Sequence, residues 1–289
     1  MKSSEWLIKP STSNFQTLGL CLLLVIIFGL SYTRFIEPNW IEINSLQLTL
    51  PHLSPEFNGY RIVQISDLHR DSNWMSQKRF RNTINLVNQQ KPDLVVITGD
   101  LVTKNSPSVI PTLKSDLDKF ASKDKTVAIL GNHDHMNDSK AIIQAIETSS
   151  TVNLNNAVYT LHRGSAMLHI AGVDDVWLGK PRLDLVMQQL PNEGAAILLA
   201  HEPDFADISA ATKRFDLQLS GHCHGGQVRL PVITQFFLPP FCQKYDSGRY
   251  QVGNMIQYTN RGLGMTSINL RFAARPEITV FTLVAPNRS

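Results

Sequence analysis

The feature that most constrains this chain is a series of short β-type runs, each closed by residues able to bind metal. Asp67 and His69 follow residues 60–66, Gly99 and Asp100 follow 93–98, and Gly131, Asn132, His133 and Asp134 follow 126–130. His201 and Glu202 follow 195–200, and Gly221, His222, Cys223 and His224 follow 215–219. These runs, and a further one at 167–171, read as strands by length and β-branching. Between them Phe80, Ile84 and Val87 fall at i, i+4 and i+7, while Ile142, Ile143 and Ile146 share a face, which predicts helices over 75–90 and 139–148. Such alternation argues for an α/β layered sandwich. The 289 residues accommodate one domain of about 240 residues plus an extra segment. An α/β fold builds its sites in the loops beyond its strand ends, where these residues sit.

Short motifs arise by accident, so the rarer ones carry the weight. With this composition an Asp-x-His is expected about 0.5 times, a Gly-His-x-His about 0.015 times and a Gly-Asn-His-Asp about 0.002 times. Gly99-Asp100 alone reads as a turn, and His201 before Glu202 and Pro203 as a helix entry. Their placement at successive strand ends argues for ligands gathered from several elements, as a two-metal site requires. Carboxylates and imidazoles suit divalent manganese, iron or zinc, and Asp100 has two oxygens with which to bridge two ions. Two such ions, two aspartates and a hydroxide leave a formal charge of about +1, which attracts a phosphate.

In this order the motifs resemble the calcineurin-like metallophosphoesterase superfamily, over about residues 59–283. Segments 225–231, 244–248, 259–264 and 275–278 are similar to a signature of its single-span bacterial branch, which includes proteins similar to UDP-2,3-diacylglucosamine hydrolases of lipid A synthesis. The resemblance implies an α/β, four-layer αββα sandwich in residues 59–285, after a membrane anchor at 1–36 and a connector at 37–58. It implies that Asp67, His69 and His224 hold one ion, that Asn132, His201 and His222 hold the other, and that Asp100 bridges. His133 would approach the phosphate and stabilise the transition state or protonate the leaving oxygen, with Asp134 orienting its ring. The implied reaction is hydrolysis of a phosphodiester or pyrophosphate bond, with a lipid-linked substrate such as UDP-2,3-diacylglucosamine as the specific candidate. The alternatives are a general or cyclic-nucleotide phosphodiesterase, a phosphatase of cell-envelope substrates, and a non-catalytic membrane scaffold. Two positions depart from the pattern: Thr103 stands where an aspartate is common, and Cys223 where threonine is, which admits a thiolate ligand.

No charged residue occurs between positions 10 and 33, and 18–30 is almost wholly apolar, enough to cross a bilayer as a helix. This predicts a single-pass anchor in the inner membrane; the competing reading is a cleaved signal peptide, with Lys2 and Lys9 ahead of the apolar run and Gly29 and Ser31 at cleavage spacing. Glu5 and Glu37 partly offset Lys2, Lys9 and Arg34, so the charge bias towards a cytoplasmic N-terminus is small. A net charge of +3 without a basic run disfavours nucleic acid. The expected partners are the membrane and a phosphorylated small-molecule or lipid substrate.

Cys21, Cys223 and Cys242 are too few and too scattered for a disulfide framework or a thiolate zinc site, and they leave open both the compartment and whether the last two pair. His135 reads as a solvent-side residue or an outer contact of the site, and His52, His162 and His169 as structural. Gly225 and Gly226 suit a tight turn behind the last histidine. Between Gln227 and Lys244, Phe236, Phe237, Leu238 and Phe241 lie in a proline-interrupted stretch that cannot be one regular helix or central strand. It is either a packed loop or an exposed apolar lip touching the bilayer or an acyl chain.

Overall fold

A computed structural model of the chain describes residues 12–266 and 268–287. The N-terminal charge pattern of Lys2, Glu5 and Lys9 lies outside the described residues. Helix α1 (Thr12–Ser31) continues through short turns, and Gln16–Asn39 is long and apolar enough to cross a membrane, with none of its apolar stretch buried against the rest of the chain.

The remainder forms two six-stranded sheets. One contains β1 (Glu42–Thr49), β2 (Arg61–Ile65), β3 (Leu94–Thr98), β4 (Lys125–Ile129), β5 (Thr151–Asn153) and β12 (Glu277–Val284), in the order β1-β12-β2-β3-β4-β5. The other contains β6 (Ala157–Arg163), β7 (Ala166–Gly172), β8 (Ala195–Leu199), β9 (Leu217–Ser220), β10 (Gly248–Val252) and β11 (Met255–Thr259), in the order β10-β11-β9-β8-β7-β6. The sheets stack through Ile62, Leu94, Val96 and Ile129 against Leu168, Ile197, Leu199 and Leu219.

The alternate residues Val63, Val95 and Ile97 point the other way, onto α2 (Gln77–Gln89), α3 (Ile110–Leu117) and α5 (Ser139–Glu147), where Phe80, Leu113 and Ile146 are buried. α6 (Leu183–Gln189) and α7 (Ala206–Ala211) cover the outer face of the second sheet through Val186 and Ala206. Strands apolar on both faces are what a sheet covered on both sides needs, and each fully buried large side chain contributes about 1.5–3 kcal/mol. The helices start where side chains cap them: Ser76 accepts from the Arg79 N–H and Asp138 from the Ala141 N–H. The result is the expected four-layer αββα sandwich.

One boundary needs correction. Residues 42–49 fall within the expected polar connector, yet they form β1, the edge strand of the first sheet, parallel to β12 from Glu42↔Glu277 to Thr49↔Val284. Of its four inward positions two are polar, Glu42 and Asn44, and only Leu46 and Leu48 are apolar, too weak an alternation to stand out from a loop.

Candidate metal centre

β2, β3 and β4 run parallel in register, and so do β8 and β9 in the facing sheet, so five strand ends open on one edge of the sandwich. Asp67 and His69 leave β2, Asp100 leaves β3, Asn132 opens the short helix α4 (Asn132–His135) after β4, His201 follows β8, and His222 and His224 follow β9. To turn these side chains into one space the backbone takes φ between +46° and +71° at Asp67, His69, Asp100, His222 and His224. Left-handed backbone costs a non-glycine residue about 1–3 kcal/mol and persists only where its surroundings enforce it.

Here the surroundings do. Asp67 N–H donates to Gly99 O and His69 N–H to Asp100 O, each at 3.0 Å, while Leu263 and Gly264 donate to Ser66 O and Asp67 O at 3.1 and 2.7 Å. Gly262 has φ +68°, and a Cβ there would lie 2.6 Å from the Asp67 Cβ. Gly131 approaches equally closely, and a Cβ on it would lie 2.7 Å from both the Asp100 amide nitrogen and His201 Nε2. The buried Arg271 fastens this loop, its Nη2 donating to Gly262 O at 3.1 Å and its Nη1 to Ala274 O at 2.7 Å.

Asp67, His69 and His224 place one potential ligand atom each within 4.8 Å of the others, and so do Asp67, Asp100 and His201. A third group joins His69, Asp100 and His133, so His133, expected outside the ligand set, reaches into the cluster. His69 Nε2 lies 3.1 Å from His224 Nε2 and 3.5 Å from Asp100 Oδ2, and His224 Nε2 lies 3.2 Å from Asp67 Oδ1. The carboxylates are aimed by main-chain donors: His222 N–H points at both oxygens of Asp67 (3.1 and 3.0 Å), and His133 N–H donates to Asp100 Oδ1 at 2.8 Å.

These residues fit divalent ions. His201 donates its Nδ1 proton to Thr98 O at 2.7 Å, which aims Nε2 at the Asp100 carboxylate oxygen 3.3 Å away. Burial opposes charge on this imidazole, but the Asp100 carboxylate outweighs it and raises the ring well above its ordinary range, and a cation between the two would replace that proton. Asn132 Oδ1 is buried and accepts no hydrogen bond. Burial holds the His69 imidazole well below its ordinary range, and burial with the neighbouring His201 pushes His222 down to about 4, so both are neutral and able to bind metal. Burial opposes ionisation of Asp67 and Asp100, but His224 beside the first and His201 beside the second outweigh it and keep both below the usual carboxylate range. The clusters are thus positioned to coordinate two divalent cations. A cleft of about 300 Å³ over them is lined by Asp100, Asn132, His133, Trp177, His222 and His224.

Residues 60–226 match the family model described as calcineurin-like phosphoesterase. The chain belongs to this family. It is 37% identical over 266 residues to the uncharacterized metallophosphoesterase YkuE of Bacillus subtilis, covering 90% of this chain and 91% of that one. It is 28% identical over 260 residues to phosphodiesterase YaeI of Escherichia coli, covering 89% and 93%. A Helicobacter pylori metallophosphoesterase is 30% identical over 289 residues, covering 97% and 74%. The family and the clustered ligands together make this chain a metal-dependent phosphoesterase.

One expectation changes on the structure, and two open positions are accounted for. Asp134 does not orient the His133 ring: its carboxylate accepts from the N–H groups of Gly131, Leu101 and Val102 at 3.1, 3.1 and 2.9 Å, tying two ligand loops together, and burial followed by the Asp100 charge raises it to about 7. His133 Nδ1 instead accepts from the Lys104 N–H at 3.3 Å. Cys223 is no thiolate ligand, because it forms a disulfide with Cys242. Thr103 replaces the usual aspartate with another tie, its hydroxyl donating to His69 O at 2.7 Å.

The sequence also concealed supporting residues. Glu202 is buried and accepts from the Val176 and Trp177 N–H groups at 2.9 and 3.2 Å, fixing the Trp177 ring 5.9 Å from that of His222. His135 bonds Asp174 at 2.8 Å at the rim of this loop. Trp177 carried no signal, whereas Arg271, a lone charge in the apolar stretch 268–274, could have been flagged as buried and paired.

Proposed function

We propose that the chain is a membrane-anchored two-metal hydrolase of phosphodiester or pyrophosphate bonds, with its catalytic domain outside the cytoplasm. The observation that carries the reaction class is the convergence of carboxylate and imidazole ligands from five strand ends beneath one cleft. Asp67, His69 and His224 would hold one ion, Asn132, His201 and His222 the other, and Asp100 both. Two bound ions supply charge stabilisation at phosphorus and an acidified water.

The chain's own groups do the rest. His133 carries its proton on Nε2, because Nδ1 accepts from Lys104, and this N–H is available to a phosphoryl oxygen or the leaving oxygen. The Lys104 main chain fixes the ring, and Trp177 closes the cleft beside His222. Specificity for a diester is supported by the likeness to YaeI, which is named a phosphodiesterase. The outward location is supported by the Cys223–Cys242 disulfide, since such bonds persist in oxidising compartments. A substrate met in the cytoplasm, such as UDP-2,3-diacylglucosamine, fits that location less well than a phosphodiester of the cell envelope.

The test is turnover by the full chain, with manganese, of bis(p-nitrophenyl) phosphate, p-nitrophenyl phosphate and UDP-2,3-diacylglucosamine, with Asp100→Ala as blank. The reading predicts diester hydrolysis exceeding monoester hydrolysis and a loss of at least about a thousandfold in Asp100→Ala, roughly 4 kcal/mol on the barrier. Turnover confined to the monoester would refute the diester assignment, and turnover dominated by the UDP-sugar would return the domain to the cytoplasmic side.

A further inference from the structure

Large apolar side chains exposed outside α1 and the adjoining connector are concentrated in one place among the described residues. Val232, Phe236 and Phe237 are 75%, 74% and 79% exposed, with Ile233, Ile268 and Phe272 beside them. Hydrophobic side chains scattered singly over a surface are ordinary, but a contiguous patch marks a contact.

Two connections give this patch a direction. First, its base is fastened to the end of the apolar helix. Arg271 N–H donates to Thr33 O at 2.9 Å and Ala274 N–H to the Glu37 carboxylate at 2.7 Å, while the intervening Phe272 bridges to Val228 and accepts from the Arg229 N–H at 2.8 Å. The segment that receives the helix is therefore the one from which the lip departs at Leu230. Around the same exit, the Arg79 guanidinium lies 4.0 Å from the Trp74 ring centroid and Arg275 lies 4.2 Å from that of Trp40, the aromatic and basic side chains that settle at a bilayer interface.

Second, the lip leads to the metal centre. A cavity of about 480 Å³ lined by Leu230, Ile233, Phe237 and Ile268 shares His222, His224, Pro239 and Thr266 with the cleft over the ligands. The Cys223–Cys242 bond and the 3.0 Å contact of His222 Nε2 with Pro240 O tie the lip to the ligand loop itself.

We propose that residues 230–241, with Ile268 and Phe272, are a second membrane contact. They rest in the surface of the bilayer crossed by α1 and open the cleft at headgroup level to phosphoesters resident in that bilayer. The proposal rests on the reading of α1 as a retained anchor. Side chains of this kind enter the headgroup and acyl boundary by about 5–10 Å, and the span needs no other partner to cover the patch.

The test places the photo-crosslinker p-benzoylphenylalanine at one position at a time in the full chain, in vesicles of phosphatidylethanolamine and phosphatidylglycerol, and reads adducts by mass spectrometry after irradiation. The positions are 236 on the lip, 24 within α1, and 165 in the β6–β7 turn, at the strand ends away from the metal centre. The proposal predicts lipid adducts at 24 and 236, with at least about tenfold less at 165. An adduct at 24 without one at 236 overturns the lip contact and spares the anchor, and none at either overturns both. A protein adduct at 236 in place of lipid assigns the patch to another chain and also overturns the proposal. Turnover of bis(p-nitrophenyl) phosphate is read separately, so loss of this contact leaves the assignment of a two-metal hydrolase standing.

Discussion

The loops around the ligands and the lip at residues 230–241 border the same cleft but are held in opposite ways. Asp67, His69, Asp100, His222 and His224 sit in left-handed backbone, enforced by main-chain bonds to neighbouring strand ends, by the Asp134 carboxylate and by the loop that Arg271 fastens. The lip has exposed apolar side chains and few ties, chiefly the disulfide and the bond to Pro240 O. The chemistry thus belongs to a frame that the two sheets impose, and access to it belongs to a segment that the frame merely tethers. Changes in the two regions should separate rate from stability and membrane contact.

The largest expected effect lies in the frame. His133→Asn should keep the metal content of the wild type and lower kcat by about a hundredfold or more, because it removes a proton donor and leaves the main-chain N–H to Asp100 in place. Metal analysis alongside turnover checks this, and an emptied site would make His133 a ligand, as its grouping with His69 and Asp100 allows.

A smaller effect on rate is expected in the lip. The double variant Cys223→Ser/Cys242→Ser opens a loop with a sequence separation of 19, worth about 3 kcal/mol on global unfolding by the chain-entropy account, which a denaturant midpoint would register. Its turnover of a soluble diester should fall less than about tenfold, since other bonds still hold the ligands that make the largest contribution. A fall as deep as that of His133→Asn would erase the distinction between frame and tether.

The same division explains what could be read from the residues. The clustering of Asp67, His69, Asp100, His201 and His224 was legible because metal binding restricts residue type and because each stands next to an apolar strand. The central strands β2, β3, β4 and β8 were legible because both their faces are buried. The edge strand β1 was not, since Glu42 and Asn44 take two of its inward positions and break the apolar alternation, and the strands β10, β11 and β12 lie beyond the last motif. The partner of Asp134 was illegible for a different reason. A carboxylate beside a histidine in sequence bonds whichever donors the fold presents, and here these are main-chain N–H groups of its own loop and of the loop after β3. The pairing of Cys223 with Cys242 likewise depends on how a proline-rich loop folds back, which residue spacing does not determine.

The most direct test of the two-metal centre is a titration of the metal-stripped full chain with manganese, following bound metal and diester turnover together. The account predicts two equivalents bound per chain, turnover that rises with the second, and an Asp100→Ala variant that neither fills both positions nor turns over. Full activity at one equivalent, or two bound ions in Asp100→Ala with undiminished turnover, would contradict it.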